Sequence, residues 1–205
     1  NYNFGGTGLL DRITAALNAN STIDIVYLSI GGNDMWDANN DGWVNGIDPT
    51  IWAQHKANIK ANVDTIVDYI LAYDAKMKVV IAGYDYLNLW DTLWQDPVDL
   101  MMWQSLGSPS PSQINTAFVE AGVEIRQIAL DNPTRVKYVQ GWGLMQWWKN
   151  SPSGAAHPGT IAQSYSPWPG GNSSYPTPMS TLAGTSSNRD AIHLSTAPAN
   201  WYDPP

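Results

Sequence analysis

Gly31-Gly32-Asn33-Asp34 closes an apolar run, Ile23-Asp24-Ile25-Val26-Tyr27-Leu28-Ser29-Ile30. A carboxamide fixed just beyond a strand is a neutral donor suited to an oxyanion that develops in acyl transfer. Near the other end of the chain, Asp190-Ala191-Ile192-His193 sets a carboxylate three residues before an imidazole. In a turn or short helix that spacing lets the carboxylate hold the ring's tautomer and stabilise the imidazolium, as a general base requires. At the start, Asn3-Phe4-Gly5-Gly6-Thr7-Gly8 leads into an amphipathic segment carrying Leu9, Leu10, Ile13, Ala16 and Leu17. A glycine-rich turn entering a helix leaves backbone N–H groups to meet an anion. Each pattern also has a plain use: a glycine turn with a polar tip, a surface Asp beside a loop His, and a glycine turn that starts a helix.

A second kind of chemistry lies three residues beyond Asp34. The stretch 37–48 offers oxygen donors from Asp37, Asn39, Asp41, Asn45 and Asp48 at loop positions 1, 3, 5, 9 and 12. Gly42 occupies position 6, and Trp43 would give its carbonyl at position 7. Alternating oxygens around a sharp glycine turn wrap a hard cation, so calcium is the expected ion. The pattern resembles a dockerin-type calcium loop, which also closes on Asp. Dockerins carry two such loops and this chain has one, so a dockerin module is not expected. The ion would brace the turn that presents Asn33. The alternative is an Asx-rich turn without metal.

The elements that must position these residues alternate. The spacing predicts helices over 9–19, 49–73 and 112–131, and strands over 22–30, 77–83 and 135–140. The apolar stripe of the second helix is Ile59, Val63, Ile66, Val67, Ile70 and Leu71. That of the third is Ile114, Ala117, Phe118, Ala121, Ile125 and Ile128. Alternation of this kind favours right-handed crossovers and a parallel sheet with helices on both faces. The run at 23–30 reads as a strand buried on both sides, with ligands expected beyond its carboxyl end. Residues 84–110 hold Tyr84, Tyr86, Trp90, Trp94 and Trp103 and are placed to wall a cleft there. Residues 150–189, rich in Ser, Pro and Gly, read as an insertion that shapes the site or as a passive surface excursion.

One domain of 205 residues with 43% hydrophobic content can bury a sizeable core. A net charge of −8 without any basic cluster argues against a nucleic-acid partner. There is no cysteine, hence no disulfide and no thiolate metal site. No apolar run is long enough to span a bilayer. Eleven Trp against two Phe supply flat faces with a donor edge, suited to core packing or to sugars, acyl chains and aromatic esters. His55 and His157 are expected to be solvent-exposed. Asn20-Ser21-Thr22 and Asn172-Ser173-Ser174 are glycosylation sequons.

Taken in order, the three glycine, asparagine and histidine patterns resemble the SGNH (GDSL-like) hydrolase family over roughly residues 1–195. Gly8 looks like that family's block II glycine. Gly32, Asn33 and Asp34 match its block III, and Asp190 with His193 its block V. The resemblance implies a three-layer α/β/α, flavodoxin-like fold and a secreted serine ester hydrolase acting on acyl esters or acetylated carbohydrate. His193 would be its base, Asp190 the orienting carboxylate, and Gly8 and Asn33 part of its oxyanion hole. The family's Gly-Asp-Ser occurs nowhere in the 205 residues. Ser29 falls inside the expected strand, and Ser195 follows His193 too closely. The nucleophile and the first strands are therefore expected from a separate N-terminal segment that completes the sheet. The same residues also suit an inactive binding module or an acyltransferase.

Overall fold

The computed structural model describes residues 8–32, 48–92, 100–101, 103–104, 106–158, 169–185 and 188–194. Helix α1 (Leu9–Ala19) leads to strand β1 (Ile25–Leu28), and helix α2 (Pro49–Tyr73) to β2 (Lys78–Ala82). After a short helix α3 (Leu89–Thr92), helix α4 (Pro111–Asp131) leads to β3 (Val136–Val139), and helix α5 (Leu144–Lys149) follows. A 3₁₀ turn, Met179–Thr181, enters the hairpin of β4 (Leu182–Thr185) and β5 (Asn188–Leu194). The α/β class and the alternation agree with the sequence. The strands are shorter than expected because the ladder extends only where neighbours face one another.

Local chemistry starts the two long helices. Asp48 caps α2, its Oδ1 accepting from Thr50 N at 2.8 Å and Ile51 N at 3.3 Å, and Pro49 stands in the first turn. Ser110 and Gln113 form a reciprocal capping box on α4. Both helices then bury one stripe. Trp52, His55, Ile59, Val63, Val67, Ile70 and Leu71 do so on α2, and Ile114 to Ile128 on α4 include every stripe residue expected there. His55 is thus buried, not solvent-exposed as anticipated, because it lies one turn from both Trp52 and Ile59 on that stripe. Beside it, on the rim of the helix pair, Glu120 Oε2 accepts from Trp52 Nε1 and from Lys56 Nζ, each at 2.8 Å.

Strands β1, β2 and β3 are parallel and adjacent in that order, with Val26 opposite Val79 and Ile81 opposite Tyr138. Two crossovers that step the same way, each of the usual right hand, bring their helices to the same face. Leu28, Val79, Ile81, Val136 and Tyr138 are buried on that face beneath α2 and α4. The opposite face is open. Ile25 is 56% exposed, Tyr27 67% and Val139 46%. The expectation that the run at 23–30 is covered on both sides is therefore corrected: among the described residues one helical layer covers the sheet.

Phe118 lies 1% exposed on α4 and meets Trp142 edge-on, ring centroids 5.9 Å apart. Phe118→Ala is expected to lower unfolding free energy by about 3–5 kcal/mol, through lost burial and a residual cavity. Urea denaturation of the two proteins measures this as a drop in midpoint at unchanged m-value.

Candidate functional site

The carboxyl rim of the sheet gathers the ends of β1, β2 and β3. Beyond β1, Gly31 takes φ +95°, which a side chain would adopt only under strain. Gly32 N–H donates to the Tyr84 hydroxyl at 3.0 Å, and a Cβ on Gly32 would stand 2.6 Å from the Tyr84 ring. Asn33 and Asp34 lie outside the described residues. So do the calcium-loop positions Asp37, Asn39, Asp41, Trp43 and Asn45. Asp48, the closing position, is described, and its Oδ1 serves the α2 cap.

Gly8 is the N-cap residue of α1. Its level along the sheet follows from two contacts. The Thr14 and Tyr69 hydroxyls are hydrogen-bonded, and the Tyr73 hydroxyl donates to Asn18 Oδ1 at 2.6 Å. Both pairs are offset by 55 residues, so α1 and α2 run in the same direction. Carried back along the helices, that offset sets Gly8 level with Val63. Val63 Cγ2 lies 3.9 Å from where a Cβ on Gly31 would be. Gly8 and Gly31-Gly32 thus share one end of the sheet.

Beyond β2 the chain turns through Asp85. Asp85 Oδ1 accepts from its neighbour Tyr86 N and from Gly143 N, and Oδ2 accepts from Met145 N, each at 2.7 Å. One carboxylate therefore joins the β2 end to the first turn of α5, where a negative charge suits unpaired helix N–H groups. Burial pushes the Asp85 carboxyl up to about 6, against the opposing pull of the backbone donors from Met145, Tyr86 and Gly143. Burial first, and then the charge of Asp85, raises the Tyr86 phenol. It stays protonated and donates to Gly170 O at 2.9 Å.

That last bond belongs to a strap, residues 170–178, laid across the same rim. Three carboxamides, each 0% exposed, hold its main chain: Asn88 beyond β2, Asn115 on α4 and Gln146 on α5. Gln146 Oε1 accepts from Asn172 N at 2.7 Å, while Nε2 donates to Tyr175 O at 2.8 Å. Asn115 accepts from Leu87 N at 3.1 Å and donates to Ser173 O at 3.2 Å. Asn88 donates to Thr177 O at 2.7 Å. The strap delivers the chain to the β4–β5 hairpin, and β5 runs beside α3.

Asp190 and His193 both fall in β5. The expected turn or short helix is corrected to extended backbone, in which positions three apart are separated by about 10 Å along the strand. The stretch 150–189 likewise ends in regular structure, β4, and not in an irregular excursion. His157 is partly buried, its ring edge-on to Trp147 with centroids 4.4 Å apart.

Sequence reasoning set Tyr84 on the wall of a cleft without its bond to Gly32, and missed Asp85, Asn88, Asn115 and Gln146. Tyr84, Asp85 and Asn88 carry a positional signal, since they follow a strand's carboxyl end. Asn115 and Gln146 carry none, being single amides inside helical patterns. Among the described residues, no three of His, Cys, Asp and Glu gather as a metal site, and no helix is long and apolar enough to cross a membrane. No protein-family model, curated protein or solved structure matches this chain.

The raised Asp85 value fixes a sign. A carboxyl whose folded pKa exceeds its unfolded one binds more protons when folded. Its contribution to stability is whole below the model-compound value of 3.8 and is lost as pH rises through about 6. Carbon-13 NMR of the Asp85 carboxyl is expected to show a midpoint near 6. Asp85→Asn sets an amide donor against backbone donors and is expected to cost about 1–3 kcal/mol, read by thermal melting at pH 7.

Proposed function

We propose that this chain belongs to a secreted serine ester hydrolase of SGNH type, braced by calcium, with a three-layer flavodoxin-like fold. One observation carries the reading. Gly8 stands level with Gly31-Gly32 at the sheet's carboxyl rim, and the hairpin holding Asp190 and His193 runs beside α3, just past β2 at that same rim. The nearness of Gly8, Gly31-Gly32 and the backbone of this hairpin to one end of the sheet supports the reading, since α/β proteins bind ligands there.

In this reading a serine Oγ attacks the ester carbonyl and His193 takes its proton. The Gly8 N–H and the Asn33 carboxamide receive the oxyanion. The alcohol then leaves with the proton from His193, and water repeats the sequence on the acyl-serine. The resemblance gives Asp190 the orienting role, but along the extended backbone of β5 it stands about 10 Å from His193, which does not favour that role. No serine of the 205 residues stands in a Gly-Asp-Ser pattern, and none is assigned as that nucleophile. Among the described residues the face at Ile25, Tyr27 and Val139 is open and β1 pairs with β2 alone, which favours a further covering layer or strand there, because parallel strands are normally covered on both faces and bare edges invite pairing. Substrates are acyl esters or acetylated carbohydrate. A catalytically inactive binding module is the second reading, favoured by the missing Gly-Asp-Ser. An acyltransferase would use the same residues with an alcohol in place of water.

Calcium fits the loop on donor chemistry, an all-oxygen set from Asp37, Asn39, Asp41, Asn45, Asp48 and the Trp43 carbonyl. The cap on α2 occupies one Asp48 oxygen. The ion supplies charge compensation and rigidity beside Asn33.

Native protein is expected to hydrolyse short p-nitrophenyl esters and to be labelled by a serine-directed fluorophosphonate. Asn33→Ala should lower turnover by about 10²–10³. No turnover and no label would leave the binding module. Transfer to an added alcohol would mark the acyltransferase. In calorimetry, EDTA-stripped protein is expected to take up about one calcium per chain, and Asp37→Ala to abolish the uptake. Absence of binding heat at millimolar calcium removes the metal from the reading.

A further inference from the structure

We propose that Tyr84 is a positioning residue for the turn beyond β1: its hydroxyl fixes the Gly32 peptide, on which the oxyanion role that the hydrolase reading gives Asn33 depends. The inference rests on the hydrolase reading above. The β1–β2 ladder ends at Leu28 opposite Ile81. Gly32 lies beyond that last pair, where β2's main chain no longer supplies an acceptor in register. The phenol takes over, accepting from Gly32 N–H at 3.0 Å. The fit is close. A Cβ on Gly32 would lie 2.6 Å from Tyr84 Cζ and 2.7 Å from its oxygen, so only glycine admits the ring. Gly31 and Gly32 are buried, and Gly31 at φ +95° turns the chain toward the phenol.

Two glycines in succession give the backbone more freedom than any other dipeptide. Without an external anchor the peptide before Asn33 samples several orientations, and a catalytic donor displaced by about 1 Å costs on the order of 10²-fold in rate. Tyr84 removes that freedom through one hydrogen bond and one ring face. It touches neither substrate nor nucleophile in this account.

Tyr84→Phe keeps the ring and deletes the acceptor. Two readouts decide the matter. Amide exchange at Gly32 should speed up about tenfold or more in Tyr84→Phe, while Val79 and Ile81 in β2 keep their protection. On p-nitrophenyl acetate, kcat should fall about 10–100-fold with KM within about twofold, because only transition-state stabilisation is lost. Tyr175→Phe, which deletes the hydroxyl of a half-exposed residue held through its carbonyl, serves as the control and should leave kcat unchanged. Unchanged Gly32 exchange overturns the proposal. So does faster exchange with wild-type kcat, and so does an equal loss of kcat in Tyr175→Phe. If the wild type itself lacks turnover, the hydrolase reading falls, and the exchange measurement alone decides whether Tyr84 anchors the turn.

Discussion

Where a parallel ladder stops, the next peptide groups lose their partners and must find others. This constraint governs the carboxyl rim. The described side chains there are chosen for what they offer to main chain. Tyr84 accepts from Gly32, Asp85 from Tyr86, Gly143 and Met145, and Asn115 from Leu87. A carboxylate suits the place with several donors and no carbonyl to answer. An amide suits the places where donors and acceptors mix. The rim is rigid because its bonds join separate elements: β2 to α5 through Asp85, α4 to the β2 loop through Asn115, and α5 to the strap through Gln146.

The two faces of the sheet answer to different forces. Beneath α2 and α4, Val67, Ile70, Ile81, Ile114, Ile128 and Val136 are 0% exposed, and this face supplies the hydrophobic stabilisation. The other face carries Ile25, Tyr27 and Val139 in water beside Lys78 and Lys137. Apolar side chains alternating with lysines describe a surface that tolerates solvent yet gains from being covered. The asymmetry makes the helix-covered face the foundation for the rim, since Gly31 rests against Ile59, Val63 and Ile125 from that side.

Much of the frame was legible in the sequence because periodicity reports burial directly. The stripes of α2 and α4 and the parallel sense of the strands follow from spacing alone. His55 escaped because a histidine was weighed by its chemistry and not by its place on the Trp52–Ile59 stripe. The run at 23–30 misled because an unbroken apolar segment suggests two covered faces, whereas Ile25 and Tyr27 face out. Asp190 and His193 were read by helical spacing, yet they lie in a hairpin whose pairing depends on residues 182–185 across the turn. At the carboxyl rim, the helix start at Gly8 and the glycine turn beyond β1 were legible from sequence. The amides that secure the strap were not, since a polar residue buried in a helix announces its partner only in three dimensions.

The grip on residues 170–178 falls almost wholly on peptide oxygens and nitrogens, from Asn172 to Thr177, and scarcely on their side chains. At Ser173, Ser174 and Tyr175 such a clasp is indifferent to the letters it holds, whereas Gly170 and Gly171 admit no side chain and Thr177 is buried. Ser173, Ser174 and Tyr175 are therefore open to replacement by a randomised library or an inserted tag, with the course of the chain preserved.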